Sequence, residues 1–236
     1  MTDIIDFTFP QAKIHSPSSA KEAMHGPFWS VFHEKTAQEI FERGGRIIDI
    51  GGGMRIDATR GDRVNPRNVQ LFSRYLTDPS IEYCVTDYTD QYHPDFVEDI
   101  HHLSFADDSV DGLFCMAVLE HVYDPKKATE EITRVLKKGG MALLYVPFIY
   151  RYHADTTQDY RDYFRYSKDG IAYFFRTCTS IEICPVRGLF ETLLRFTPLH
   201  RLGFFGSLLR RFDWSTQRIR RISCHQASGY FIRIVK

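Results

Sequence analysis

The chain of 236 residues has no net charge, since thirty lysines and arginines balance thirty aspartates and glutamates. That balance gives no global pull toward nucleic acid or an anionic membrane, so no nucleic-acid partner is expected and any surface contact must be local. Cysteine is scarce as well. Cys84, Cys115, Cys178, Cys184 and Cys224 are odd in number and no two stand in Cys-x-x-Cys spacing, which argues against a disulfide framework and a zinc site. No apolar run reaches the length of a membrane span, and Met1 to Asp6 place acids where a secretion signal needs basic residues. Internal repeats and low-complexity segments are missing too. The expectation is a soluble cytoplasmic protein, with contact at the inner membrane face left open.

What is present is an apolar content of 43%, enough for one well-buried core and too short a chain for a second full domain. Met24, Phe28, Phe32, Ala37, Ile40 and Phe41 recur at spacings near three to four, so the pattern predicts a helix over 20–43, stopped by Gly44-Gly45. Short β-rich runs follow at 46–50, 81–86, 110–115, 141–146, 181–185 and 230–235, with helical patterns between several of them. Strands alternating with helices predict an α/β fold with a mostly parallel sheet. Two successive strands at the C-terminal end allow one to run antiparallel.

Ligands of open α/β sheets bind beyond the carboxyl ends of the strands, where the strand order reverses. Asp49 and Gly51-Gly52-Gly53 close the first run, and glycines without Cβ atoms let backbone N–H groups approach a ligand. A tight connection with no ligand fits a lone glycine triplet equally well. Val85-Thr86-Asp87 ends the second run with a carboxylate suited to ribose hydroxyls, or with a solvated turn aspartate. Asp99, closing Phe96-Val-Glu-Asp, is a third carboxylate, suited to an adenine amino group. The nicotinamide pattern Gly-x-Gly-x-x-Gly fails at Ile56, whose side chain stands where the third glycine belongs.

Asp49-x-Gly51-x-Gly53, the stretch from Asp99 through Asp111 to Glu120-His121-Val122, and Glu131-Ile-Thr-Arg-Val-Leu-Lys-Lys-Gly-Gly140 resemble class I S-adenosylmethionine-dependent methyltransferases of the type 11 kind. The resemblance covers roughly residues 44 to 150. It implies a Rossmann-like, mostly parallel seven-stranded sheet with helices on both faces and S-adenosyl-L-methionine as cofactor. Gly51 and Gly53 would then approach its methionine and ribose portions, with Asp49 in the same turn. Asp87 would meet the ribose hydroxyls, Asp99 and the Ile100 backbone the adenine, and Met116 the methionine end. The polar stretch 54–65, with Arg55, Arg60 and Arg63, reads as a loop over the cofactor or as plain surface. One domain over 1–236 would comprise an N-terminal helical lid (1–44), a cofactor-binding core (45–147) and an acceptor-side half (148–236).

The passage from Val146 to Ser167, with His153 and Asp162-Tyr163-Phe-Arg165-Tyr166-Ser167, is similar to a methyltransferase subgroup often associated with cell-surface glycan biosynthesis. This implies O-methylation of a sugar or glycan hydroxyl. A hydroxyl is a poor nucleophile at neutral pH, so a general base is wanted, and His153 and His121 are the candidates. His121 reads also, and more readily, as a structural or cofactor-pocket residue. Tyr163 and Arg165 would orient the acceptor or else pack the lid, and Ser167 reads as a helix cap. The other histidines, His101-His102 included, show no ligand spacing, so no metal is expected.

Between Arg187 and Arg221 stand eight arginines and no lysine, against only Glu191 and Asp213, interleaved with Phe190, Phe196, Phe204, Phe205, Phe212 and Trp214. A helical insertion at 187–221, before the last strand, is expected. It reads as a lid with buried aromatics and solvated arginines, or as a face for an anionic membrane, a lipid-linked acceptor or a partner protein. Two other functions remain open: methylation of a lipid or quinone-like small molecule, and a catalytically inactive cofactor-binding partner protein.

Overall fold

Residues 12–17, 27–59, 64–155 and 160–236 are described by the computed structural model. In chain order the elements are β1 (Lys13–Ile14), α1 (Phe28–Arg43), β2 (Gly45–Ile50), α2 (Pro66–Phe72), β3 (Ile81–Asp87), β4 (Phe96–Val97), β5 (Val110–Met116) and α3 (Pro125–Val135). They continue with β6 (Leu136–Pro147), α4 (Lys168–Phe174), β7 (Ser180–Val186), α5 (Leu189–Leu194), α6 (Gly203–Asp213), α7 (Gln217–His225) and β8 (Gly229–Val235).

The strands form one sheet in the order β1-β7-β8-β6-β5-β2-β3-β4. Parallel pairing joins β2 to β3 and β5, β5 to β6, β3 to β4 and β1 to β7, whereas β8 runs antiparallel between β6 and β7. The antiparallel strand is where the two consecutive C-terminal runs allowed one. The sheet has eight strands, one more than the seven expected. The extra one, β1, and the other edge strand, β4, are two residues each, too short for a period-2 pattern to reveal.

Alternation along the strands sorts side chains between two layers. Ile47, Phe114, Met141 and Leu143 face α1, where Ala37, Ile40 and Phe41 pack with Phe72 and Tyr75. Ile48, Ile50, Leu113, Cys115, Ala142 and Leu144 face the other way, against Ala128, Ile132 and Val135 of α3 and Ile171 of α4. Each such fully buried Ile, Leu or Phe contributes about 1.5–3 kcal/mol, and burial on both faces explains the near-continuous apolar runs. Within the 1–44 stretch read as a lid, α1 is a core helix: Ile40 and Phe41 are each 1% exposed. It begins after Pro27; Met24 and the rest of 18–26 lie outside the described residues.

The insertion before β8 is helical, as expected, but its aromatics are arranged differently. Trp214 is buried, edge-on to Phe28 at 4.9 Å, while Phe196, Phe204 and Phe212 stand 56%, 74% and 46% exposed. The inner side is filled by polar groups. Asp213 accepts from the backbone N–H groups of Phe190 and Glu191 and from the Ser223 hydroxyl, and Arg210 pairs with Glu191 at 2.7 Å. The apolar stripe of α6 is thereby turned outward.

Candidate functional site

The chain leaves β2 in one direction toward β3 and β4, and reaches β5 and β6 on the other side, so the strand order reverses between β2 and β5. A crevice beyond the carboxyl ends of these strands is the place for a ligand. Asp49, near the end of β2 and fully buried, organises its first wall. Its carboxylate accepts from the N–H groups of Gly53 (3.1 Å) and Met54 (3.0 Å) and from the Tyr83 hydroxyl (2.8 Å). Gly51 and Gly52 turn through φ values of 75° and 57°, where a side chain is strained, and Gly51 N–H donates to the Thr86 carbonyl. A Cβ on Gly53 would lie 2.5 Å from that of Met116, so the turn lies flat against the end of β5.

Gly52, Arg55, Asp49 and Asp87 line one open cleft together with Tyr92 and Pro94. Arg55 holds a left-handed backbone (φ 53°), an uncommon state for a residue with a side chain. Asn65 N–H donates to its carbonyl and the Asn68 amide to that of Met54, which ties the loop after the glycines to the start of α2. Arg60 and Arg63 lie outside the described residues. Asp87 ends β3, with its Oδ1 accepting from Thr89 N–H.

Asp99 stands apart from the lining of that cleft. Its Oδ1 accepts from the backbone N–H of His101 (2.9 Å) and meets the ring Nδ1 (2.6 Å). Burial pushes its pKa up, but the His101 hydrogen bonds outweigh this and hold it below the usual value. His101 is buried and stacks on Tyr123 at 4.1 Å, so this histidine braces the turn that carries Asp99 and the buried Ile100.

A second constellation lies beyond β5 and β6. Glu120 and His121 sit on a short 3₁₀ turn after β5, and His153 on the loop after β6. Glu120 is 1% exposed and burial pushes its carboxyl up to about 8. Its Oε1 is 3.7 Å from Nε2 of His121 and 3.9 Å from Nε2 of His153. His121 stacks on Tyr160 and bonds through Nδ1 to the Arg161 carbonyl; burial lowers its pKa.

The loop is clamped by Asp162, whose Oδ2 accepts from His153 N–H (2.9 Å) and from Arg165 Nη2 (2.6 Å), while Nη1 of Arg165 meets Oδ1. The guanidinium holds that carboxyl down at about 2. Arg165 also donates to the carbonyls of Tyr150, Arg151 and Phe164. Tyr163 is half exposed, anchored by its N–H on the Glu120 carbonyl. Ser167 caps α4, accepting from Gly170 N–H.

Residues 67–144 match the family model described as a methyltransferase domain. The match spans about a third of the chain. The cofactor that such a domain implies is S-adenosylmethionine. The matched stretch runs from α2 into β6; the glycine turn precedes it and His153 follows it. No curated protein matches the chain. Among solved structures, a SAM-dependent methyltransferase from Archaeoglobus fulgidus is similar over 89% of this chain and 100% of its own, with 12% identity and a TM-score of 0.49. A putative methyltransferase of Haloferax volcanii, solved with the Trm112 activator, is similar over 86% and 89%, with 21% identity and a TM-score of 0.44. Haemonchus contortus phosphoethanolamine N-methyltransferase 2, in complex with S-adenosyl-L-methionine, is similar over 82% and 49%, with 16% identity and a TM-score of 0.46.

The residues of the crevice fit that cofactor. The glycine turn presents backbone without Cβ atoms, the cleft joins it to Asp87, and Asp99 keeps Oδ2 outside its His101 bonds. Of the glycines, Gly52 lines the cleft, whereas Gly51 and Gly53 press against Val118 and Met116. Sequence reasoning passed over three participants. Tyr83 and Asp162 are joined to Asp49 and His153 by contacts remote along the chain, and Glu120 gave one signal, a glutamate beside a histidine at a strand end.

Proposed function

We propose that this chain transfers the methyl group of S-adenosylmethionine to a hydroxyl oxygen of a sugar or glycan acceptor held beyond the carboxyl ends of β5 and β6. The observation that carries this reading is the placement of His153. Its Nδ1 lies 3.2 Å from the Arg151 carbonyl and 3.2 Å from the Asp162 carboxylate, both nearer than the Arg165 Nη2 donor at 3.5 Å, so the ring proton belongs on Nδ1. Nε2 is left as a lone pair facing the Glu120 carboxyl at 3.9 Å, on a side chain 29% exposed whose ring an acceptor can approach. An amine reacts through its own lone pair, whereas a hydroxyl must lose a proton, and a bare imidazole nitrogen is suited to take it.

The cofactor's sulfonium supplies an already activated methyl group, which leaves the protein to hold the acceptor in line and exclude water. Asp49 fixes the glycine turn, Asp87 and Asp99 face the ribose and adenine, and Met116 backs the turn at the methionine end. Asp162 and Arg165 hold the His153 loop, with Tyr163 on its outer side toward the acceptor.

The test is transfer of labelled methyl to a panel of glycans, amines and lipids, with His153→Ala in single turnover. Glycan O-methylation that falls about 10²- to 10⁴-fold in the variant, with cofactor affinity intact, supports the reading. Methylation of amines alone, or an unchanged rate, overturns it.

A second reading, a lipid-linked acceptor, is favoured by one feature. Leu193, Phe196, Leu199, Leu202, Phe204 and Phe212 are exposed together in the insertion that carries eight arginines. Apolar side chains rimmed by cations suit an anionic membrane surface.

A further inference from the structure

The strongest unexplained feature is electrostatic. His121 bonds through Nδ1 to the Arg161 carbonyl, an atom that can only accept, so Nδ1 carries the hydrogen and Nε2 is a bare lone pair. Among the described residues that Nε2 is buried with no hydrogen-bond partner, and so is Oε2 of Glu120. His153 repeats the arrangement, with acceptors at Nδ1 and its Nε2 turned to Glu120. Two imidazole nitrogens and a buried carboxyl group thus converge within 4.8 Å of one another. Leaving such groups unpaired costs about 1–3 kcal/mol each, more for a charge.

We propose that Glu120, His121 and His153 together bind one divalent transition-metal ion of the zinc class, through the carboxylate and the two Nε2 atoms. The distances agree. Ligand bonds of roughly 2.0–2.2 Å in a tetrahedron put neighbouring ligand atoms about 3.4 Å apart, and the Oε1-to-Nε2 separations here are 3.7 and 3.9 Å. A contraction of a few tenths of an ångström brings the carboxylate to each imidazole, and the three ligand atoms all lie within 4.8 Å of one another. The donor set suits such an ion, since two imidazoles and one carboxylate favour zinc, iron or cobalt, whereas magnesium and calcium prefer oxygens alone.

The surroundings agree as well. Ligating histidines give their other N–H to a carbonyl or carboxylate, and here Arg161, Arg151 and Asp162 are those acceptors. The Arg165 charge, 3.5 Å from His153, is matched by its paired Asp162. A carboxyl as buried as that of Glu120 keeps its charge best beside a cation.

Three protein ligands leave a fourth position, and His153 is the member that reaches the surface. The inference deepens the acceptor reading and rests on it for this point only. There the acceptor hydroxyl would coordinate through oxygen and lose its proton to solvent, because a bound cation makes that proton more acidic. His153 then serves as ligand, and the metal takes over what its free imidazole does in the stripped protein.

The experiment uses the full chain freed of metal by chelator, titrated calorimetrically with zinc and, separately, magnesium, with no methyl donor or acceptor present. Cobalt(II) spectra report the ligand type. The expected result is one zinc per chain at micromolar affinity or better, weakened about 10- to 100-fold in both Glu120→Gln and the more exposed His153→Gln, with folding checked by circular dichroism. Magnesium does not bind, and cobalt shows visible bands with no thiolate charge transfer. Absent zinc binding, affinity unchanged in folded variants, or a thiolate spectrum from the free cysteines overturns the proposal. Such a failure leaves methyl transfer untouched, whereas a failure of methyl transfer leaves zinc binding measurable.

Discussion

The Tyr83 hydroxyl donates to the Asp49 carboxylate at 2.8 Å, linking β3 to the carboxylate that holds the glycine turn. One buried group thereby receives three donors from two elements. Tyr83→Phe removes one and is expected to cost about 1 kcal/mol of stability, with cofactor affinity reduced only a few-fold. Asp49→Ala strips the Gly53 and Met54 N–H groups of their acceptor as well, and calorimetry should show the larger loss in affinity. Equal effects of the two substitutions would contradict this role for Asp49.

Gly53 is needed for the space it leaves free. An alanine there would put its Cβ 2.5 Å from Met116 Cβ and 3.1 Å from the Met116 carbonyl, which belongs to the backbone of β5 and cannot swing away. Gly53→Ala should lower stability by about 1–3 kcal/mol and weaken cofactor binding at least tenfold. Unchanged binding in thermal-shift and calorimetric titrations would refute the close packing.

The strand runs of β2, β3, β5, β6, β7 and β8 were legible because each is a short apolar stretch bounded by turn residues, and Asp49 through Gly53 marked the crevice by its position at a strand end. What was not legible depends on contacts remote in sequence. Nothing local to Tyr83 announces Asp49, and nothing local to His153 announces Glu120, thirty-three positions earlier and one strand away. The arginine-rich insertion stayed open between two readings for a related reason. Its composition suits buried and exposed aromatics equally, and the outcome was decided by Asp213 and Arg210 filling the inner side.

Glu131 sets an acid limit on stability. Arg134 is the main cause holding its carboxyl down at about 2, helped by the Leu103 N–H and Lys127, while Asp107 pairs with the same arginine. A lowered folded-state value means stability that is complete above the unfolded value near 4.3 and is lost as pH falls toward 2. Denaturation followed from pH 6 to pH 2 should show a loss on the order of 2–3 kcal/mol from this site. In Glu131→Gln that part of the slope should vanish, and a slope identical to the parent's would exclude the assignment.

Arg165 is expected to act through the loop it holds. Lysine cannot reproduce its two bonds to Asp162 together with those to three carbonyls. Arg165→Lys should leave cofactor affinity within twofold and reduce turnover tenfold or more. A change confined to cofactor binding would place Arg165 in the other half of the site.

The exposed apolar face of the insertion gives a surface test. Among the described residues no helix is long and apolar enough to cross a membrane, so contact would be from one side. Sedimentation with anionic vesicles should carry the protein down, with neutral vesicles leaving it in solution. Phe204→Ser and Arg211→Glu should each release it, and high salt should weaken the contact. Equal partition between the two vesicle types would remove the lipid reading.

The most direct test of the account is calorimetric titration of the purified chain with S-adenosylmethionine, S-adenosylhomocysteine and NAD in parallel, repeated with Asp99→Ala. Micromolar binding of both adenosyl ligands, weakened in the variant and with no heat from NAD, is the predicted result. Binding of NAD alone, or of none of the three, would contradict it and leave only the fold.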